Sequence, residues 1–153
     1  MDITVADPSH AADFSHLLDE YFAALDIVKR DSPEEITRSL ADPTNRSWIA
    51  FADQIAVGCV ALRPLALPGE TAGTSYECKR LYVKPYCRGR GIAESLLKAM
   101  ETHAREAGIQ WIYLDSNDQL KSALRIYERL GYGECARYND NPQATVFLRK
   151  RLA

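Results

Sequence analysis

The stretch from Ser75 to Leu114 constrains the fold more than any other. Ser75 to Val83 reads as a strand that Pro85 ends, and Arg88-Gly89-Arg90-Gly91 follows as a glycine-rich turn. Gly91 to Ala107 is a long amphipathic helix, with Ile92, Leu96, Ala99, Met100, His103 and Ala107 on one face and Gly108 as its stop. Ile109 to Leu114 then reads as a buried strand. A strand-helix-strand unit of this kind closes with a right-handed crossover.

The flanking segments add an antiparallel part. Ile3 to Ala6 reads as a first strand. Pro8 can start a helix, and Phe14, Leu17, Leu18, Tyr21 and Phe22 recur at helical spacing in Ala11 to Leu25. Ser32-Pro33-Glu34-Glu35 opens a second helix: Ser32 caps it, Pro33 suits its first position, Glu35 completes a capping box, and Asp42-Pro43 ends it. Ser47 to Ala52 and Ile55 to Leu65 are strand-like around Asp53-Gln54, which fits a hairpin, and residues 66–74 form a loop. After the central unit come a helix from Leu120 to Leu130, closed by Gly131, and strands near Gly133–Arg137 and Thr145–Arg149. The order β-α-α-β-β-β-α-β-α-β-β describes an α/β (α+β) chain. The expected fold is a mixed, mostly antiparallel sheet of six to seven strands, flanked by about four helices, with a central strand-helix-strand unit. The 153 residues suit a single domain, 1–153.

Composition narrows the function. With 46% hydrophobic and 26% charged residues the chain is an ordinary globular one. A net charge of −2 gives no global cationic field for nucleic acid. No apolar run suits a bilayer span, and Met1-Asp2-Ile3-Thr4 shows no basic leader, so a cytoplasmic protein without a membrane partner is expected. Cys59, Cys78, Cys87 and Cys135 form no Cys-x-x-Cys pair, and His10, His16 and His103 lack a two-histidine i,i+4 pattern. No metal is therefore expected, and the thiols should be reduced. Charge is uneven. Residues 1–35 carry nine acids against Lys29 and Arg30, whereas Lys79, Arg80, Lys84, Arg88 and Arg90 follow one another without an acid. That basic run has no base-stacking surface and suits phosphates better than nucleic acid.

The turn before the long helix carries the chemistry. The first turn of a helix has unpaired N–H groups and the positive end of the dipole. Gly89 and Gly91 let backbone approach a ligand, Arg88 and Arg90 add charge, and a diphosphate is the natural guest. The rival phosphate motifs fit poorly. Gly-x-x-x-x-Gly-Lys-Ser/Thr is absent, and Gly89-Arg90-Gly91 reaches Glu94 where a dinucleotide fingerprint needs glycine.

Two motifs then make a family resemblance. Arg88-Gly89-Arg90-Gly91-Ile92-Ala93 after Val83-Lys84-Pro85 resembles the Arg/Gln-x-x-Gly-x-Gly/Ala signature of the GNAT N-acetyltransferases. Ala123-Leu124-Arg125-Ile126-Tyr127-Glu128-Arg129-Leu130-Gly131-Tyr132 resembles that superfamily's Ala-x-x-x-Tyr-x-x-x-Gly-Phe/Tyr helix, and Glu77 to Val83 is similar to a branch of small, single-domain bacterial members. The resemblance implies a GNAT fold and acetyl-CoA as co-substrate. It implies that amides from Arg88, Gly89, Arg90, Gly91, Ile92 and Ala93 hold the CoA diphosphate. It also implies that the backbone of Leu81, Tyr82 and Val83 pairs with the pantetheine arm, where two parallel strands splay apart. Asn117 lies near a cofactor-contacting position of the family, in uncertain register.

For catalysis, the resemblance places Tyr127 beside the CoA sulfur, where a phenol can protonate the departing thiolate. Helical spacing also permits Tyr127 as a core residue with Leu120, Ala123 and Leu124. Glu77, just before the pantetheine segment, is the candidate base, directly or through water; it also suits pairing with Lys79 or Arg80, or facing solvent. The Val83 amide is a candidate oxyanion donor. Cys78 and Cys87 flank the site, but no histidine is placed to activate them. The acidic front segment and the polar loop Tyr138-Asn139-Asp140-Asn141-Pro142 point to a small-molecule primary amine, acetylated by direct attack. A protein or peptide acceptor and a non-catalytic CoA sensor are the alternatives; a homodimer is open.

Overall fold

The computed structural model describes residues 1–27 and 31–152. Lys29 and Arg30, counted above in the front-segment charge, lie outside the described residues. Among the described residues seven strands follow one another in the hydrogen-bonded order β1-β2-β3-β4-β5-β7-β6, with four α-helices. Only the β4–β5 pair is parallel among the described pairings, so the expected mixed, mostly antiparallel sheet is what forms. The chain divides into two compact units, Met1–Arg63 with Arg80–Met100, and Pro64–Lys79 with Glu101–Ala153.

The first unit begins with β1 (Asp2–Val5), α1 (Ala11–Ala24) and α2 (Pro33–Ala41). α2 starts as its sequence dictates: Ser32 Oγ accepts from the Glu35 amide at 3.1 Å, and Glu35 returns a carboxylate oxygen to the Ser32 amide at 3.2 Å. β2 (Arg46–Ala52) and β3 (Ile55–Pro64) form the expected antiparallel hairpin. Both turn residues are left-handed, Asp53 at φ 50° and Gln54 at φ 67°, the backbone that matches strand twist in a two-residue turn. α1 turns Phe14, Leu17, Leu18 and Phe22 inward onto Ile36, Ile49, Cys59 and Tyr82, the i, i+3, i+4 stripe read from its sequence. At Gly58 a Cβ would stand 2.9 Å from the Tyr82 carbonyl oxygen, so glycine is what lets β3 approach this part of β4.

β4 (Ser75–Val83) belongs to both units and α3 (Ile92–Glu106) starts in the first. α3 buries Ile92, Leu96, Leu97, Met100, Glu101 and Ala104, while His103 is half-buried and Ala107 exposed. The face is thus rotated by about one residue from the expected one. The reason is Glu101, which a hydropathy pattern assigns to solvent. Its Oε1 takes Lys150 Nζ at 2.8 Å and Arg105 Nη2 at 3.4 Å, and its Oε2 takes Tyr132 Oη at 2.9 Å. A carboxylate so satisfied can be buried.

In the second unit, residues Ser75 to Glu77 of β4 pair in parallel with Trp111 to Tyr113 of β5 (Trp111–Ser116). β7 (Val146–Arg151) runs antiparallel to β5, and β6 (Gly133–Glu134) adds to β7. α4 spans Lys121–Arg129. β5 starts two residues later than expected. The Ile109 amide still closes α3 by bonding the Ala104 carbonyl, after Gly108 at φ 76°. β6 is shorter than the expected Gly133–Arg137. Arg137 instead donates to the carbonyls of Asn139, Asn141 and Ala144, which turns the chain into a loop.

Candidate active site

The glycine-rich turn lies in the first unit and is built from backbone. Gly89 and Gly91 sit at φ 78° and 77°, a region that disfavours side chains. Among the described residues no backbone carbonyl takes a hydrogen bond from the amides of Gly89, Arg90, Gly91, Ile92 or Ala93; the Ser95 amide bonds the Gly91 carbonyl at 3.0 Å. Arg88 Nε donates to the Val83 carbonyl at 3.0 Å and its guanidinium lies 5.8 Å from the Tyr82 ring, so it braces the turn. Arg90 is exposed and pairs with no described residue. The result is a row of unbonded donors with one uncommitted cation, suited to an anion.

The strand leading into this turn is tied down by the acidic front segment. Arg80 has φ 61° within β4, an uncommon conformation for a residue with a side chain, and its Nη2 stands 2.6 Å from Asp31 Oδ2. Tyr82 is buried and donates its hydroxyl to Glu20 at 3.0 Å, while Lys84 Nζ stands 3.1 Å from the same carboxyl group. Burial opposes ionisation of Glu20, but the Lys84 and Tyr82 hydrogen bonds outweigh it and hold the carboxyl below its usual range. Lys84 is therefore committed to Glu20 rather than presented for phosphate. The Lys84 amide donates to Val57 of β3 at 2.8 Å.

The second unit gathers polar side chains in its interior. Glu77 is 3% exposed; Tyr138 donates its hydroxyl to Glu77 Oε2 at 2.7 Å, and Asn139 Nδ2 stands 3.4 Å from the same oxygen. Lys79 Nζ lies 3.5 Å from Glu77 Oε2 and 2.9 Å from Asp115 Oδ2, which also accepts from Asn139 at 2.7 Å and Asn141 at 3.4 Å. Of the alternatives for Glu77, pairing with Lys79 is found and facing solvent is not. Burial alone would raise the Asp115 carboxyl, yet the Asn139 bond and Lys79 bring it below the usual carboxylate range. Burial and the Glu77 charge push the Tyr138 phenol well up, so that its proton stays on oxygen at neutral pH.

Tyr127 is 6% exposed, and its ring packs edge-on against Tyr132 with centroids 5.9 Å apart. Tyr132 is in turn held by Glu101. Asn117 turns its side chain to the Gln143 carbonyl at 2.9 Å and accepts from the Gln119 amide, so it shapes its own loop. Beside the buried cluster runs a groove of about 680 Å³, walled by Leu67, Pro68, Tyr113, Tyr138, Asp140 and Arg149 among others. Tyr138 thus has its ring on the groove and its hydroxyl on Glu77, which is not a lining residue.

One thiol, Cys135, lines the groove, and another, Cys78, follows Glu77 on β4. Cys59 is fully buried, and desolvation pushes it up to about 12; burial likewise raises Cys78 and Cys135. Among the described residues no group of three His, Cys, Asp or Glu side chains is placed to hold a metal ion. None of their helices is long and apolar enough to cross a membrane.

Residues 11–132 match the model of the acetyltransferase (GNAT) family. The chain belongs to that family. As a GNAT protein it is an acetyl-CoA-dependent N-acetyltransferase. It is 29% identical over 153 residues to an uncharacterised N-acetyltransferase of Schizosaccharomyces pombe, covering 95% of this chain and 91% of the relative. It is 30% identical to the IAA acetyltransferase of Azospirillum brasilense, over 75% and 73% of the two chains. The fold matches the PaiA N-acetyltransferase of Thermoplasma acidophilum solved with coenzyme A, with TM-score 0.76, 18% identity and 99% of each chain covered. GNAT membership supplies the acyl donor, acetyl-CoA. It does not account for Asp115 or Arg149, which sequence reading passed over because neither lies in a motif. Asp115 becomes notable only through Lys79, 36 positions away.

Proposed function

We propose that this acetyltransferase transfers acetyl from acetyl-CoA to the primary amine of a small molecule, by direct attack. The reaction needs a neutral amine, a donor for the developing oxyanion, and a proton for the departing thiolate. In this reading the amides of Gly89 to Ala93 hold the CoA diphosphate, Arg90 adding charge; the Arg88 amide, expected to join them, bonds the Pro85 carbonyl at 3.3 Å. The backbone of Leu81, Tyr82 and Val83 pairs with the pantetheine arm. Because the Lys84 amide points at β3, strand alternation turns the Val83 amide the other way, which suits an oxyanion donor.

One observation carries the acceptor side: the 2.7 Å hydrogen bond from Tyr138 to buried Glu77. It links Tyr138, a residue of the groove wall, to the carboxylate that acts as base in this reading. As the C–N bond forms and the C–S bond breaks, the amine proton passes to Tyr138 Oη while the Tyr138 proton passes to Glu77. Tyr138 itself never becomes phenolate, in keeping with its raised pKa. Tyr127 supplies the proton that the thiolate takes up, and exchange with solvent then removes the proton from Glu77 and returns one to Tyr127.

The test is calorimetric titration with acetyl-CoA, followed by a thiol-release screen over primary amines. Binding with CoA release on particular amines is expected. Binding with no release on any amine, but release on peptides, would replace the small acceptor with a protein one. Absence of acetyl-CoA binding would remove the role given to the Gly89–Ala93 turn.

A further inference from the structure

Part of the expectation of an amine acceptor rested on the acidic front segment. Two of those acids are engaged within the first unit, Glu20 with Lys84 and Tyr82, and Asp31 with Arg80. The groove of the second unit has a different character. Two arginines line it, each over an aromatic ring, and they are not equivalent. Arg137 lies 4.5 Å from the Phe147 ring centroid, and its nitrogens donate to three carbonyls of its own loop. Arg149 lies 4.2 Å from the Trp111 ring centroid and gives one hydrogen bond, from Nη1 to Tyr113 Oη at 3.2 Å. No described carboxylate pairs with Arg149; Glu70 acts on it only at a distance. Arg149 is therefore a cation oriented by stacking, with most of its N–H donors uncommitted, on the wall of a groove.

From this we infer that the groove takes an acceptor bearing a carboxylate as well as its amine, an amino-acid-type zwitterion, with Arg149 as the carboxylate-binding residue. The inference rests on the proposed reading of this groove as the acceptor site. A planar guanidinium held over a ring by this contact and by its bond to Tyr113 keeps its other N–H groups as a fork, the geometry that receives a carboxylate through two bonds. Its orientation is set before the ligand arrives, so little side-chain freedom remains to be lost. The other end of the acceptor meets Tyr138 Oη and exposed Asp140, which line the same groove and suit an amine. One uncommitted guanidinium, in a groove that Asp140 also lines, matches a monoanion better than a phosphate dianion.

The experiment compares matched acceptors by thiol release with acetyl-CoA: amino acids, the corresponding amino-acid amides, an O-phosphorylated amine and a polyamine. The expected result is a kcat/KM at least tenfold higher for each amino acid than for its amide, with the polyamine and the phosphorylated amine poorer still. In Arg149→Ala the ratio of acid to amide should fall toward one through a rise in KM, and Arg149→Lys should restore part of it. A second readout needs no turnover. Calorimetry with an N-acetylated amino acid should show binding to the wild-type protein and loss of it in Arg149→Ala, with the melting temperature of the variant confirming its fold. Equal use of acid and amide, preference for the phosphorylated amine or the polyamine, or a preference that survives Arg149→Ala would each overturn the inference. So would a large loss of acetyl-CoA affinity in Arg149→Ala, since Arg149 would then serve the donor. If no amine releases CoA, the proposed acceptor class fails, and the N-acetylated amino acid still decides for or against Arg149.

Discussion

The turn at Gly89–Ala93 and the cluster around Glu77 are built on opposite principles. The turn is one contiguous stretch whose unbonded donors are backbone amides, and its side chains matter mainly for the backbone they permit, as at Gly91 with φ 77°. The cluster is made of side chains from separate segments: Glu77 and Lys79 on β4, Asp115 on β5, and Tyr138, Asn139 and Asn141 on the loop before β7. A backbone site is set by local sequence and survives most changes around it. A side-chain cluster exists only when the fold is complete, and each member depends on the others for satisfaction of its buried charge or polar group.

Substitutions should separate the two. Gly91→Glu places a side chain at a left-handed position and a carboxylate where the amides face an anion; acetyl-CoA affinity should fall by a factor of about 100 or more by calorimetry, the loss of several charge-assisted bonds. If Gly91→Glu binds acetyl-CoA normally, the turn is not the donor site. Glu77→Gln should do the reverse. It keeps shape and hydrogen-bonding capacity but removes the base, so kcat should fall about 10²-fold with acetyl-CoA affinity within about twofold of wild type. Tyr138→Phe should resemble it in kcat, because Glu77 reaches the groove through that hydroxyl. Loss of donor affinity and turnover together in Glu77→Gln would break the division between the two regions.

Tyr127→Phe is a smaller and sharper test. A general acid that helps the thiolate leave should cost about tenfold or more in kcat, with acetyl-CoA affinity nearly constant; unchanged turnover with a lowered melting temperature would return Tyr127 to packing against Tyr132. The smallest effect concerns acid. Asp115 titrates below its usual range in the folded protein, so its contribution to stability is complete above the unfolded carboxyl value. That contribution fades as pH falls through the lowered folded one. The melting-temperature gap between wild type and Asp115→Asn should therefore narrow between about pH 5 and about pH 2. A gap that stays constant would show that the Lys79–Asp115 pair adds no net stability.

What could be read from the sequence follows the same division. Ser32 and Glu35 specify a helix start through atoms three residues apart, and the Asp53-Gln54 turn follows from its strands; both formed as expected. The glycine turn and the Tyr127 helix were legible because their motifs are local. Glu77 was legible only as a candidate, since nothing local says that Tyr138 will cover it. The α3 face was misjudged by one residue because Glu101 finds partners at Tyr132 and Lys150, 31 and 49 positions away. Arg149 stood as one more polar residue on a strand until Trp111, its neighbour on β5, placed a ring beneath it.

The pairing of the front segment with the basic stretch bears on how the enzyme responds to ionic strength. Arg80 and Lys84 are neutralised by Asp31 and Glu20, and Arg88 is turned to the Val83 carbonyl. A run that looks strongly cationic on paper therefore projects less long-range field than its composition suggests, Arg88 and Arg90 being its cations that no described carboxylate pairs. Screening by added salt acts on exposed, unpaired charge and leaves short hydrogen bonds to backbone amides largely intact. Capture of the nucleotide donor should accordingly change little across a wide range of salt. Such an enzyme would hold acetyl-CoA nearly as well in concentrated cytosol-like buffer as in dilute solution.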